Sequence, residues 1–162
     1  MTDQQPTYRR ATLADLNRIG EIGQLLNELH HSAWPEIFAP ASSPQRDEAH
    51  WRQSLETASA AAFVAERDDE VLGFITINVV DEQHTLLQPV RYARINSVCV
   101  VEAARGQGIG RGLMRHAEQW AHGQGATDIR LTVLTCNAAA QGLYEELGYA
   151  PRSLSMGKSL EP

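Results

Sequence analysis

Four glycines at alternate positions constrain this chain more than any other feature: Gly106, Gly108, Gly110 and Gly112 lie in the segment RGQGIGRG. Glycine has no Cβ atom, so the backbone of such a run can approach a ligand closely and adopt conformations that other residues avoid. A strand-like stretch precedes the run, and a stretch with apolar residues at helical spacing follows it. The run therefore predicts a turn that leaves free N–H groups at the start of a helix.

The chemistry of this turn favours a bound phosphate. The N–H groups of a first helical turn and the helix dipole attract an anion, and Arg105 and Arg111 add positive charge. The dinucleotide fingerprint GxGxxG fits no register of the run, and the pattern GxxxxGK[ST] is absent. These failures disfavour a nucleotide-dependent enzyme. A glycine turn that only permits tight packing remains the alternative.

The strand before the turn carries a second signal. Within the range 92–101, Ile95 occupies an odd position whereas Val98 occupies an even one. A strand keeps its apolar residues in one phase unless an extra residue is inserted, so this change predicts a β-bulge near Asn96 or Ser97.

Upstream of this strand, the pattern predicts two helices followed by a β-hairpin. Thr12 begins the first helix with Asp15 as its capping-box partner, and Ser43 begins the second helix ahead of a proline. The ranges 61–66 and 71–80 predict the two strands of the hairpin.

Downstream of the turn, we expect a helix that ends in Gly123 and Gly125 and a β-branched strand at 129–135. Asn137 begins a further helix, which Gly148 ends, and 152–158 predicts a final strand. Strands that alternate with single helices predict an α/β or α+β fold.

Composition and charge exclude several classes of partner. The net charge is −6, whereas nucleic-acid contacts need clustered Lys and Arg, so nucleic acid is not expected as a partner. No apolar run approaches the roughly 18 residues of a membrane helix, and the polar N-terminus lacks the apolar core of a signal peptide. Cys99 and Cys136 show no CxxC spacing, which disfavours a metal site or disulfide framework. We therefore expect a cytoplasmic protein without a membrane partner or a metal.

Two blocks resemble the Gcn5-related (GNAT) N-acetyltransferases. Arg105-x-x-Gly108-x-Gly110 resembles the family signature [QR]xxGxG[AG], whose backbone amides bind the pyrophosphate of coenzyme A. The later range 137–149, which contains NAAA, LYE and LGY, resembles the family block NxxAxxxYexxGF. The strand at 92–101 is similar to the family's bulged fourth strand, whose backbone pairs with the pantetheine arm.

The resemblance covers residues 92–150 and implies a single N-acetyltransferase domain over 1–162. It also implies a central mixed, mostly antiparallel sheet, with a bulged and splayed strand pair and helices on both faces. A homodimer is implied as well, because such domains often pair.

Acetyl-CoA is the cosubstrate that the resemblance implies. The predicted cofactor-binding residues are those of the bulged strand, the glycine turn and the later block: Val98, Cys99, Val100, Arg105, Gly106, Gln107, Gly108, Ile109, Gly110, Arg111, Asn137 and Tyr144. A bulge would free backbone N–H groups near Val98 to Val100, which could pair with pantetheine and polarise the thioester carbonyl. Asn137 is either a contact to the pantetheine amides or a helix cap.

Tyr144 is the predicted catalytic residue, a general acid that protonates the departing thiolate. The alternative is an interfacial tyrosine that only packs. The acceptor is expected to be the primary amine of a small molecule or a peptide. A non-catalytic module that binds or senses acyl-CoA remains the second hypothesis, since a fold does not dictate a function.

The sequence assigns no general base. Some family members carry a glutamate where this chain has Asn96, Ser97 or Thr132. Other candidates are Glu102, or a water chain to one of three side chains: Glu36, Glu82 or His84. On the family pattern, the connection between the first two helices would line the acceptor pocket with His30, His31, Trp34, Glu36 and Phe38.

Overall fold

A computed structural model describes residues 4–162, and these divide into two compact units between Thr132 and Val133. The strands are β1 (Thr7–Arg10), β2 (Ala60–Arg67), β3 (Glu70–Glu82), β4 (Val90–Val100) and β5 (Asp128–Arg130). The helices are α1 (Leu16–Ala33), α2 (Glu48–Glu56), α3 (Ile109–Gly123) and α4 (Ala138–Glu146). The sheet and the first three helices belong to the first unit, and α4 belongs to the second. A single domain over residues 1–162 stays a prediction.

The five strands form one sheet in the order β1-β2-β3-β4-β5. The first four pair antiparallel, and β4 pairs with β5 in parallel. The predicted mixed, mostly antiparallel sheet is therefore confirmed. The β2–β3 hairpin turns through Asp68 and Asp69, whose φ angles of 53° and 61° match the left-handed conformation that two-residue hairpin turns require.

Helices cover both faces of the sheet, as expected. On one face, the ring of Phe74 in β3 packs edge-on against Trp51 of α2, at 5.1 Å between centroids. Val64 lies opposite Phe74 in the register, so its neighbour Phe63 points to the other face. There Phe63 lies 6.4 Å from the ring of His116 in α3. Two apolar layers thus bury the sheet between α1 and α2 on one side and α3 on the other.

The predicted bulge in β4 is confirmed. Ser97 lies opposite Thr76 and Ile95 lies opposite Ile77, so Asn96 is the extra residue in between. The insertion reverses the phase of the strand: Ile95 and Val98 pair with β3 residues that are two apart and therefore share a face.

Two strand predictions fail downstream of α3. The predicted strand at 129–135 is shortened to Asp128–Arg130, and the predicted strand at 152–158 is absent from the described residues. In the latter segment, Leu154 and Met156 are exposed by 74% and 86%. β-branched or alternating residues fit a sheet only where a neighbouring strand accepts their backbone hydrogen bonds. Sequence pattern alone does not supply that neighbour.

At the N-caps predicted for the first two helices, 3₁₀ turns begin and lead into α1 and α2. The Thr12 N–H donates to the Asp15 carboxylate at 2.8 Å, which forms the predicted capping box. Ser43 occupies the N-cap position of the 3₁₀ turn that leads into α2, with proline at the first position of that turn. In α4, the expected apolar stripe is only half-buried at Leu143 and Leu147.

Candidate functional site

The glycine turn holds two residues in the left-handed conformation. Gly106 has a φ of 74° and Gly108 has a φ of 80°, and Gly108 is the N-cap of α3. A Cβ atom added to either glycine would meet no atom within 4 Å, so open space lies above both. The first N–H groups of α3 have no acceptor within the helix, because helix geometry leaves them unpaired by their own backbone. These observations define a cradle at the N-terminus of α3.

The remaining two glycines belong to the helix rather than to the turn. Gly110 and Gly112 lie in the first turn of α3, and the Gly112 N–H donates to the Gly108 carbonyl at 3.0 Å. The phenol ring of Tyr8 occupies the space where a Cβ atom of Gly112 would stand. The tight-packing alternative is thus correct for Gly112, and close approach by a ligand concerns Gly106 and Gly108.

Two side chains tie the turn to the sheet. Arg105 donates from Nε to the Val100 carbonyl at 3.0 Å. Gln107 donates to the Ala103 carbonyl at 3.3 Å and accepts from Arg67 of the β2–β3 hairpin at 2.9 Å. These hydrogen bonds hold the Gly-Gln-Gly backbone against the end of β4 and the β2–β3 hairpin.

The other two residues of the predicted cradle differ in exposure. The side chain of Ile109 is 1% exposed and belongs to the core, so only its backbone is available to a ligand. Arg111 is half-buried in the first turn of α3.

Alternate residues of β4 point their backbone N–H and C=O groups away from β3. The Val101 N–H donates to the Leu72 carbonyl at 2.8 Å, so the backbone groups of Val101 point toward the β3 side. In an antiparallel ladder, residues whose backbone groups face the partner strand alternate with residues whose groups face away from it, or outward. Val100 and Val98 therefore point their N–H and C=O groups outward, toward the β5 side. The contact from Arg105 to the Val100 carbonyl agrees with this direction.

The parallel pairing stops short of these positions. β5 pairs with Tyr92, Ala93 and Arg94 of β4, and the described pairing ends there although β4 continues to Val100. The pairing ends in the region where the resemblance implies a splayed strand pair. The outward backbone of Val98 and Val100 thus faces an edge that β5 does not cover.

Cys99 departs from its predicted role. Its alternate position turns its backbone toward β3, and its thiol lies in the core, 3.5 Å from the Ile22 carbonyl. The candidate coenzyme residues of β4 are therefore Val98 and Val100. Burial raises the pKa of the Cys99 thiol to about 11.

This raised pKa predicts a loss of stability at alkaline pH. The unfolded thiol ionises near pH 9.0, whereas the folded one keeps its proton up to about 11. Because the native state then binds more protons, the free energy of unfolding should fall as pH rises through this window, by about 2 to 3 kcal/mol in total. Urea unfolding at several pH values measures the slope. Cys99→Ala should flatten it, while Cys136→Ala, at an exposed thiol, should retain it. Equal slopes in both variants would contradict the prediction.

The second unit places the two later site residues on α4. The Asn137 side chain accepts from the Ala140 N–H at 3.2 Å, so its role as a helix cap is confirmed. Tyr144 is half-buried, and its ring lies 6.0 Å from that of Tyr149. Among the described residues, no side chain or backbone group forms a hydrogen bond with the Tyr144 hydroxyl. Burial raises the pKa of Tyr144, so the phenol stays protonated at neutral pH.

The predicted acceptor segment is partly helical. α1 continues to Ala33, so His30 and His31 belong to its last turn rather than to a loop. The rings of Trp34 and Phe38 stack at 6.4 Å, and His31 Nδ1 lies 2.7 Å from the Phe38 carbonyl oxygen. This segment folds back on α1.

Sequence patterns missed a cationic cluster where the β4–β5 pairing ends. Arg94 lies opposite Arg130 in the register, and both guanidinium groups contact the ring of Tyr92. Each arginine is only one of the polar residues in its own strand, so only the register brings the two together.

Within the described residues, no group of three His, Cys, Asp or Glu side chains could hold a metal ion. In the same part of the chain, every helix is too short or too polar to cross a membrane.

Comparison with known proteins identifies the family. The Acetyltransferase (GNAT) family model matches residues 24–149. The chain belongs to this family. YhfO of Bacillus subtilis, which is named as an N-acetyltransferase, is 31% identical over 117 residues, or 70% of this chain and 74% of YhfO. Other relatives are longer: the chain spans 47% and 54% of the length of two further N-acetyltransferases.

Solved structures share the fold. A mutant form of the BH1408 protein from Bacillus halodurans gives a TM-score of 0.85 at 22% identity, over 96% of this chain and 99% of that one. The aminoglycoside N-acetyltransferase AAC(6')-Iy, solved in complex with CoA, gives 0.73 at 13% identity, over 96% and 100%. GNAT acetyltransferases use acetyl-CoA, and relatives of this chain are named as acyl-transferring enzymes.

Proposed function

We propose that this chain is an acetyl-CoA-dependent N-acetyltransferase, which moves an acetyl group to a primary amine by direct attack on the thioester. The observation that carries the proposal is the open space above Gly106 and Gly108, at the start of α3 and beside the outward backbone of β4. Arg105 joins the two features through its bond to Val100. Membership of the family supports the same chemistry.

The proposed coenzyme site consists of two stretches of backbone, the glycine turn and the outward edge of β4. The pyrophosphate binds the amides between Arg105 and Arg111, because left-handed glycines let it approach and the dipole of α3 favours an anion. The pantetheine arm pairs with the outward groups of Val98 and Val100. An N–H group at this edge polarises the thioester carbonyl, as a donor does in an oxyanion hole.

The reaction forms a C–N bond and breaks a C–S bond. The neutral amine nitrogen attacks the thioester carbon, a C–N bond forms, and the carbonyl electron pair moves to oxygen. Collapse of the tetrahedral intermediate breaks the C–S bond, and the departing thiolate takes a proton from the Tyr144 hydroxyl. The raised pKa of Tyr144 keeps that proton in place at neutral pH. The attacking nitrogen loses one proton to solvent, and the Tyr144 phenolate regains one from solvent, so the products are a neutral amide, CoA thiol and the protonated tyrosine. We assign no base to the step before attack, since the amine arrives neutral, and water takes the proton that the nitrogen loses after attack.

Two measurements test this function. Release of CoA thiol from acetyl-CoA in the presence of a panel of amines should be faster than release without them. Calorimetric titration should detect binding of CoA and no comparable binding of NAD or ATP. CoA binding without amine-dependent thiol release would instead favour a non-catalytic acyl-CoA module. Preferential binding of NAD or ATP would favour a nucleotide-dependent enzyme.

The acceptor is a small-molecule or peptide amine, and the compartment is the cytoplasm, where acetyl-CoA would be available. We also expect a homodimer, on the family pattern. Light scattering over micromolar concentrations measures the mass, and a monomer throughout that range would refute the dimer.

A further inference from the structure

The sheet face that α1 and α2 cover becomes more exposed and more polar beyond Thr76. Phe74 and Thr76 are buried on this face, but Asn78, the next residue on the same side, is half-buried. Its partner Arg94 is exposed, and the bulged Asn96 donates to the Asn78 side chain at 2.7 Å. The helices therefore leave a polar surface open on this face.

Two arginines lie side by side on this surface. Arg94 and Arg130 are directly opposite each other in the last pair of β4 and β5. Arg94 donates to the Tyr92 hydroxyl at 2.9 Å, and the Arg130 guanidinium lies 3.9 Å from the centroid of the same ring. Tyr92 is 3% exposed, so a rigid, buried ring holds both cations in place.

Their charges are not balanced within the described chain. Asp128 pairs with Arg130 at 2.8 Å, whereas no carboxylate of the described residues pairs with Arg94. Like charges directly opposite each other destabilise a sheet. The chain as a whole carries a net charge of −6, so the two adjacent cations are a local exception. An anion bound between them would remove this repulsion.

Donor geometry specifies the kind of anion. A guanidinium group has five N–H donors, and Arg94 uses one on Tyr92 while Arg130 uses its Nε on Asp128. The remaining donors come from two side chains on strands about 4.8 Å apart. Such a pair suits the two oxygens of a carboxylate, which arginine binds in a bidentate manner.

We infer that Arg94 and Arg130 bind a carboxylate of the acceptor, so that the acetyl acceptor is an amine that also carries a carboxylate. This inference rests on the proposed function, because it takes the thioester to lie beside Val98. Arg94 lies about 10 to 13 Å from Val98 along the strand, at a rise of about 3.3 Å per residue. An arginine side chain and a small amino acid together span that distance.

Acceptors that differ only in a carboxylate test whether the protein recognises that charge. The panel pairs an α-amino acid with its uncharged amide, and a dipeptide ending in a free carboxylate with the same dipeptide amidated. The wild-type protein should have kcat/KM at least about tenfold higher for the acid than for the amide in one of these pairs. The pair that shows the difference separates a free amino acid from a peptide as the source of the carboxylate.

Matched variants then assign the preference to residues. Arg94→Met and Arg130→Met should each lower the acid-to-amide ratio by about tenfold, mainly through KM, and Arg94→Lys should restore part of it. Arg52→Met removes the same charge from the surface of α2 and should leave the ratio unchanged. Thermal unfolding and calorimetric CoA affinity show that each variant is folded, and a purely structural role would not change the ratio.

The outcomes separate the two proposals. Absence of CoA binding would overturn the proposed function. CoA binding and thiol release with other amines, together with equal use of acids and amides or with use of neither, would overturn the carboxylate assignment alone. An acid preference that survives in both methionine variants would also overturn it.

Discussion

Tyr144→Phe should lower kcat by about 10²- to 10⁴-fold while the affinity for CoA changes little, because general acid catalysis is worth about that much. The substitution keeps the ring, which packs 6.0 Å from Tyr149, and removes only the proton donor. No hydrogen bond within the described residues uses the Tyr144 hydroxyl, so the variant should keep its stability. Single-turnover kinetics with a good acceptor measure the chemical step free of product release.

The pH profile adds an independent test of the same role. A general acid must be protonated, and burial raises the pKa of Tyr144 above its ordinary value of about 10. Ionisation of Tyr144 should therefore cause no alkaline loss of single-turnover rate below about pH 10.

The neighbouring Tyr149 provides the matched control. Tyr149→Phe removes a hydroxyl from the same unit and should retain the wild-type rate. A wild-type single-turnover rate in Tyr144→Phe would show that Tyr144 only packs and that water or the substrate protonates the thiolate.

Gly108→Asn should weaken CoA binding by about 100-fold or more, which corresponds to the loss of two or more charge-assisted hydrogen bonds at the cradle. The added side chain would occupy the open space above the turn, where the pyrophosphate is proposed to bind. Asparagine tolerates a positive φ, so the turn itself should persist. Gly108→Val should weaken binding at least as much and should also destabilise the fold, because a β-branched residue is strained at a φ of 80°.

The same helix offers a matched control at its other end. Gly125 has a φ of 79°, and its added Cβ atom would meet only the Arg91 side chain, at 4.0 Å. Gly125→Asn thus repeats the same substitution in the same conformation and should leave CoA binding unchanged, as titration calorimetry would measure. Wild-type affinity in a folded Gly108→Asn variant would contradict a pyrophosphate site at this turn.

Local patterns predicted much of the first unit. The capping box at Thr12 and Asp15, the hairpin and the start of α3 all follow from residues close together in sequence. The bulge was also readable, because an inserted residue must reverse the alternation of apolar side chains along β4. These features depend on backbone conformation and periodicity, which neighbouring residues determine.

The length of a strand could not be predicted from local sequence patterns in the same way. The β-branched stretch after Asp128 predicted a long strand, and the structure ends it at Arg130, where pairing with β4 stops. A strand depends on hydrogen bonds to a distant segment, and propensity does not reveal how far that segment runs alongside.

Residue by residue, the sequence alone determined where a glycine turn at a helix start and a bulged strand would form, and its two motif blocks indicated the family. Only the tertiary structure separated Gly106 and Gly108, which open the cradle, from Gly112, which makes room for Tyr8. It likewise turned Cys99 into the core and set Arg94 beside Arg130. Glycine looks the same in sequence whether it meets a ligand or a side chain. The difference lies in what the fold places opposite each position, and such contacts join residues that are far apart in the chain.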